Sequence, residues 1–240
     1  TGTDVGLSLA GIHVQVLDGG EYLTSARPCV FLFNHQSKLD LPVMINLVRS
    51  EATGVAKKEV QRVPVVGPIL QQAGLVFIDR ADPGRAIEQL APAVTALRDE
   101  GMSLVVAPEG TRSPTPRVGR FKKGPFHIAM QAGVPVVPVV LRNTGELMWR
   151  GAQLIRPGTV EVMVLPPVDT SDWSPDEIGD RAEEVRQMYI SALADWPLDF
   201  FADDVPAVSL ACAFEAHLGH HILQATQPGF VILLGEMVDF

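Results

Sequence analysis

One histidine and one aspartate stand close together behind a short apolar run, Val30-Phe31-Leu32-Phe33-Asn34-His35-Gln36-Ser37-Lys38-Leu39-Asp40. A neutral imidazole can take a proton from a hydroxyl near physiological pH. A carboxylate on its other nitrogen fixes the tautomer and stabilises the cation that forms. If the acceptor brings its own hydroxyl, the pair needs no serine nucleophile, and Ser37 is expected to be a dispensable turn residue. The simpler alternative makes His35 a turn residue and Asp40 a carboxylate placed by the dipole at a helix start. A second polar block, Pro108-Glu109-Gly110-Thr111-Arg112-Ser113, has the composition of a phosphate cradle. Gly110 admits a close backbone approach, Thr111 and Ser113 offer hydroxyls, and Arg112 supplies charge. Glu109 is the odd member, because a carboxylate beside a phosphate must bind a hydroxyl or hold a cation instead.

Positioning these groups requires strands that end where they begin. Residues 27–33 read as a buried strand, and residues 39–48 as a helix with apolar side chains at three- and four-residue steps. His35 then lies at a strand's carboxyl end, where open α/β sheets gather ligands. Residues 75–78 form an apolar strand ending at Asp79-Arg80, and residues 103–107 a buried strand ending at the Glu109 block. An arginine at one strand end beside a histidine at another can fork onto a phosphate, although Arg80 can equally pair with Asp79 or Asp82. The remaining pattern gives strands at 12–17, 53–56, 135–141 and 159–165. Helices are expected at 69–73, 83–98 (with a kink or break at Pro92), 126–131 and from Ser174-Pro175-Asp176-Glu177 to about residue 194. Prolines 135 and 138 within a strand suggest an edge position or a bulge. Strands alternating with helices predict a three-layer α/β domain with a mixed, mostly parallel central sheet flanked by helices. We place that domain at residues 1–196.

Four blocks occur in order: Asn34-His35 with Asp40, Gly74-Leu75-Val76-Phe77-Ile78-Asp79-Arg80, Pro108 to Ser113, and Val134-Pro135-Val136-Val137-Pro138-Val139. Together they resemble the signature of the glycerolipid acyltransferases, the lysophosphatidic acid acyltransferase family. The resemblance covers roughly residues 27–142. It implies that His35 is the general base and Asp40 its orienting partner. It further implies that Arg80, Glu109, Gly110, Thr111 and Arg112 bind the glycerol phosphate. Phe121-Lys122-Lys123-Gly124 is similar to the basic tail that follows the family's third block, and Lys123 is the candidate for a second phosphate contact.

Composition sets bounds. With 240 residues, 47% apolar and 20% charged, one main domain is expected. No run of eighteen apolar residues occurs, no secretion signal is visible, and a start at Thr1 suggests a fragment. Two cysteines, Cys29 and Cys212, make a disulfide framework unexpected and fit a reducing cytosol. The net charge of −9 argues against nucleic acid, yet residues 110–145 carry six cations and no acid. Two-glycine spacing at Gly119 and Gly124 suggests a nucleotide loop, but Pro125 stands where its lysine belongs. His13 is expected to be a solvated strand residue. Residues 197–240 form an acidic and apolar extension of unassigned role, with a helix expected over 208–224 and a strand over 230–234. His217, His220 and His221 lack partners for a metal site.

The expected function is acyl transfer from a thioester of coenzyme A or acyl carrier protein to the free hydroxyl of 1-acyl-glycerol 3-phosphate or a related lysophospholipid. No cofactor or metal is required, and the partners are the two substrates and a membrane surface. The protein is expected to lie peripherally on the cytoplasmic face, its cationic surface toward the lipid. The rivals are an acyl-thioester hydrolase using the same His and Asp, and a non-catalytic phospholipid-binding module.

Overall fold

The computed structural model describes residues 2–57, 61–62, 76–78, 90–113, 115, 117–149, 152–194 and 208–209. In chain order the described elements are α1 (Gly2–Leu9), β1 (Ile12–Asp18), α2 (Tyr22–Ser25), β2 (Val30–Phe33), α3 (Asp40–Val48), β3 (Ala52–Lys57), β4 (Val76–Ile78), α4 (Ala91–Arg98) and β5 (Ser103–Val106). They continue with α5 (Gly124–Ala132), β6 (Val136–Arg142), α6 (Thr144–Leu147), β7 (Leu154–Ile155), β8 (Gly158–Val164), α7 (Ile178–Ala194) and β9 (Val208–Ser209).

The main sheet has the order β1-β8-β6-β2-β5-β3-β4. Neighbours from β6 to β4 pair in parallel, β8 pairs antiparallel with β6, and β1 pairs parallel with β8. The expected mixed, mostly parallel sheet is present.

Side chains of a strand alternate between faces, and in this sheet both faces are covered. Val30 and Leu32 join Leu104, Val106, Val136 and Val140 on one face, under α4, α5 and α7. Phe31 and Phe33 join Val105, Val137, Val139 and Leu141 on the other, against Leu7 of α1 and Val43, Met44 and Val48 of α3. The four β2 side chains are at most 2% exposed. Burying each contributes about 1.5–3 kcal/mol, which fixes the strand that carries His35.

The expected kink or break at Pro92 falls at the start of α4, where Pro92 lies in the first turn and a missing N–H costs nothing; residues 83–89 lie outside the described set. Two boundaries differ from the pattern-based reading. Helix α7 begins at Ile178 rather than at the Ser174 cap, because the Ser174 hydroxyl donates to the Glu177 carboxylate (3.0 Å) within a preceding turn. Val208–Ser209 pairs antiparallel with β7, so no helix starts at Val208. The remaining tail, including His217, His220, His221 and Cys212, lies outside the described residues, as does the helix expected at 69–73.

The proline strand is interior, not an edge. Pro138 faces Leu32 of β2 in register, and its carbonyl accepts the Leu165 N–H on the other side (2.9 Å). There the partner slips by one residue, from Val139↔Val164 to Val136↔Val168, so the irregularity sits beside the proline's missing donor. His13 is exposed on β1, at the sheet edge, as expected. Cys29 is a free, buried thiol whose pKa burial pushes up to about 12, which makes it unreactive.

Candidate active site

His35 follows β2 by two residues and sits at the carboxyl end of the sheet, 9% exposed. The turn from β2 into α3 folds Asp40 back beneath it. His35 Nδ1 donates to Asp40 Oδ2 at 2.8 Å, and the same oxygen accepts the N–H groups of Gln36 (2.7 Å) and Ser37 (2.8 Å). Asp40 is fully buried. A carboxylate so held cannot rotate away, and it commits the imidazole to the tautomer with Nδ1 protonated. His35 Nε2 has no hydrogen-bond partner among the described residues and is the nitrogen left to receive a proton. The ring stands edge-on to Phe33, with centroids 5.7 Å apart.

The Glu109 block follows β5, the strand beside β2, so the sheet order brings the two polar blocks together. Glu109 Oε1 accepts the backbone N–H of His35 (2.9 Å), and Oε2 accepts that of Gly119 (2.8 Å). The His35 carbonyl in turn accepts the Ser113 N–H (2.7 Å). His35 is thus clamped at both its backbone groups by one loop. Burial raises the Glu109 pKa, against the lowering effect of the two N–H groups and of His35. Gly110 has φ +72, in the left-handed region that glycine occupies without strain.

The remaining predicted residues divide. Thr111 is exposed beside Gly110, whereas Arg112 is buried at 5% exposure. Arg80 lies outside the described residues. Lys123 extends toward α7: its Nζ lies 3.1 Å from where a side chain on Gly179, in the first turn of that helix, would begin. Lys122 approaches the Glu109 loop. The Lys122 N–H donates to the Pro108 carbonyl (2.7 Å), and its Cγ and Cε lie 3.5 and 3.8 Å from the equivalent position on Gly110. The six-cation stretch is not one continuous surface either, since Arg112 is buried and Arg142 pairs with Glu161 (3.2 Å). Arg117, Arg120, Lys122 and Lys123 are exposed.

Several supports had no local signal in the chain. Asn34 spans to β6, its Nδ2 donating to the Leu141 carbonyl and its Oδ1 accepting the Leu141 N–H, each at 2.7 Å. Tyr189 of α7 donates its hydroxyl to the Leu32 carbonyl (2.7 Å) from a fully buried position. Arg186 donates to the carbonyls of Gly119 (2.8 Å) and Val118 (3.1 Å), fixing the loop that holds Glu109. Ser37 is the clearest departure from expectation. Its buried hydroxyl donates to the Met148 carbonyl (2.7 Å), and removing it leaves that acceptor unpaired, a loss of about 1–3 kcal/mol. Structurally it is not dispensable.

Residues 15–142 match the family model described as Acyltransferase. Among named proteins, the chain is 36% identical over 186 residues to the 1-acyl-sn-glycerol-3-phosphate acyltransferase of Limnanthes alba, covering 77% of this chain and 65% of that one. It is 33% identical over 191 residues to the human 1-acyl-sn-glycerol-3-phosphate acyltransferase alpha, covering 80% and 67%. The chain therefore spans a little under two thirds of the plant relative's length. A solved structure, the 1-acyl-sn-glycerophosphate (LPA) acyltransferase PlsC of Thermotoga maritima, aligns with TM-score 0.60 and 30% identity over 82% of this chain and 80% of that one. The match runs from within β1 to the end of β6 and so takes in both clamped polar blocks and the strands that carry them: the chain belongs to the acyltransferase family.

Proposed function

We propose that this chain transfers a fatty acyl group from a thioester to the free hydroxyl of 1-acyl-glycerol 3-phosphate, giving phosphatidic acid. The observation that carries the reading is the His35–Asp40 pair, held at 2.8 Å on the same edge as the Glu109–Arg112 loop. His35 Nε2 removes the proton of the acceptor hydroxyl as its oxygen attacks the thioester carbonyl. Asp40 stabilises the imidazolium that forms. The tetrahedral intermediate expels the thiolate, which recovers the proton from His35, so that an ester and a free thiol leave and no acyl-enzyme forms. Gly110, Thr111 and Arg112, with Arg80, receive the phosphate. Fixing the acceptor in this way can supply roughly 7–11 kcal/mol of the barrier reduction when geometry is good. Glu109 acts chiefly through the backbone of His35, and among the two lysines the geometry favours Lys122 over Lys123 as the phosphate contact. The donor is a thioester of coenzyme A or acyl carrier protein, and the protein works peripherally on the cytoplasmic face of a membrane.

The test is thiol release from palmitoyl- and oleoyl-coenzyme A, with and without lysophosphatidic acid, lipid products being identified by mass. Wild type should release thiol only with acceptor and form phosphatidic acid, and His35→Ala should lose at least about 100-fold of that rate. Release without acceptor selects hydrolysis. Lipid binding that survives in His35→Ala, with no turnover by either protein, selects a binding module.

A further inference from the structure

Large apolar side chains exposed among the described residues are few, and three of them lie close to the catalytic edge. Leu9 and Val5 of α1, Trp149 and Leu154 are 62%, 46%, 52% and 48% exposed. Leu9, Trp149 and Leu154 lie toward one edge of the sheet, whereas Val5 follows Asp4, which reaches Asn46 and Arg49 at the other end of α3. Strand β8 runs antiparallel to β6, so its first residue, Gly158, stands at the carboxyl end of β6. Gly158 donates its N–H to the Gly11 carbonyl (3.0 Å), which brings the end of α1 to the same place. Strands β6 and β2 are parallel neighbours, and this edge therefore also carries His35. Val16 and Leu17, the other exposed pair, lie toward the far end of β1.

Residues 147–149 and 152–156 come together on that edge. The Arg156 N–H donates to the Leu147 carbonyl (2.8 Å), and the Arg156 guanidinium lies 5.2 Å from the Trp149 ring centroid. The Met148 carbonyl, one residue from Trp149, takes the Ser37 hydroxyl, and the Ser37 N–H goes to the same Asp40 oxygen that holds His35. Met148, and with it Trp149, is thus tied to the catalytic turn.

An indole presents an apolar body with one polar N–H and settles at the boundary between headgroups and acyl chains. A guanidinium stacked on it offers a planar fork to a phosphate. Lys38, exposed in the catalytic turn itself, adds a second cation. This combination fits a charged lipid surface. We propose that the segments 147–149 and 152–156, with Trp149 and Arg156 exposed on them and Leu9 nearby, dock the catalytic edge onto the headgroup boundary of an anionic phospholipid bilayer. The proposal rests on the reading that the acceptor is a bilayer lipid, which must reach His35 without crossing much water.

The experiment is co-sedimentation of the full chain with vesicles of phosphatidylcholine, with or without phosphatidylglycerol, paired with quenching of tryptophan fluorescence by brominated acyl chains. Wild type should bind the mixed vesicles and release with salt. Trp149→Ala should bind about tenfold more weakly and lose part of the quenching. Arg156→Gln should lose about fivefold on anionic vesicles only. Leu17→Ser, at the far end of β1, should match wild type. Both altered side chains are exposed, and coincident thermal melts check the fold. Binding untouched by both substitutions overturns the proposal, as does a wild type that ignores every vesicle; the latter would leave the patch to a protein partner. Acyl transfer by wild type to a short-chain, water-soluble acceptor tests the acceptor reading separately: its absence would sink that reading while the vesicle result still decides the docking surface.

Discussion

Direction, more than residue type, separates the roles of the two lysines that follow the Glu109 loop. Lys122 and Lys123 are adjacent, both exposed and indistinguishable as sequence, yet consecutive residues at the start of a helix point in different directions. One lies along Gly110 and the other over Gly179. A phosphate seated on the Gly110 backbone would meet the Lys122 ammonium, whereas Lys123 is committed near the first turn of α7. Lys122→Ala should therefore raise KM for the phosphorylated acceptor by about tenfold, the scale of one partly exposed charged contact, with little change in KM for the thioester. Lys123→Ala should leave both constants within about twofold. Equal effects of the two substitutions, measured by steady-state kinetics with acceptor varied at saturating donor, would refute the assignment. His35 and Asp40 were legible because both partners of that bond lie within one turn. The spacing of five residues already implies a fold-back. Glu109 was not legible as a clamp, because its partners are the N–H groups of His35 and Gly119, and a backbone donor carries no mark of its partner in the sequence.

Among the elements, the loop between β5 and α5 does the positioning. It leaves β5 at the Glu109 block, returns past Gly119, and enters α5 at Lys123, with the Pro108 carbonyl holding Lys122 on the way. Gly119 is the narrowest point: a Cβ there would fall 2.6 Å from Glu109 Oε2. That oxygen is bonded to the Gly119 N–H and its twin to the His35 N–H, so the carboxylate cannot yield without releasing one of them. Gly119→Ala is expected to cost about 1–3 kcal/mol of stability, as overpacking of a tight site does. It should also lower kcat by about tenfold or more, because a small displacement of the base is expensive. Thermal denaturation together with kcat reads both effects. A variant with the wild-type melting temperature and full kcat would show that the clamp does not position His35. The same substitution at Gly101 should be milder in packing, since nothing lies within 4 Å of that position, though its φ of +67 adds backbone strain.

For the molecule as a whole, the three-layer arrangement was legible because the runs at 30–33, 104–106 and 136–141 are apolar at every position, as strands covered on both faces are. Their spatial order was not. Nothing local says that β2 lies between β5 and β6, or that Tyr189 bonds to Leu32 across 157 residues. Those pairings decide which polar groups end up buried together, and burial has a consequence for stability against pH. Glu109 titrates above its ordinary 4.5 in the folded protein, chiefly because burial disfavours its charge, while the unfolded chain restores the ordinary value. Between the two, the folded state holds a proton that the unfolded state has released. Its contribution to stability is therefore full below about pH 4.5 and is lost as pH rises through the elevated folded value. His127 acts in the opposite sense. Burial, and then the nearby Lys123, lower its pKa from 6.5, so its contribution is present above about pH 6.5 and lost as pH falls through the lowered value. Replacing Glu109 by Gln removes the first effect and leaves the second. Denaturant unfolding of both proteins from about pH 4 to about pH 7 should show wild type losing stability relative to Glu109→Gln as pH rises from 4.5. The variant's overall offset does not matter, because the amide also loses one N–H acceptor and is less stable at every pH. The evidence lies in the slope of the difference, and two curves that run parallel across the range would mean that Glu109 does not titrate high in the folded protein.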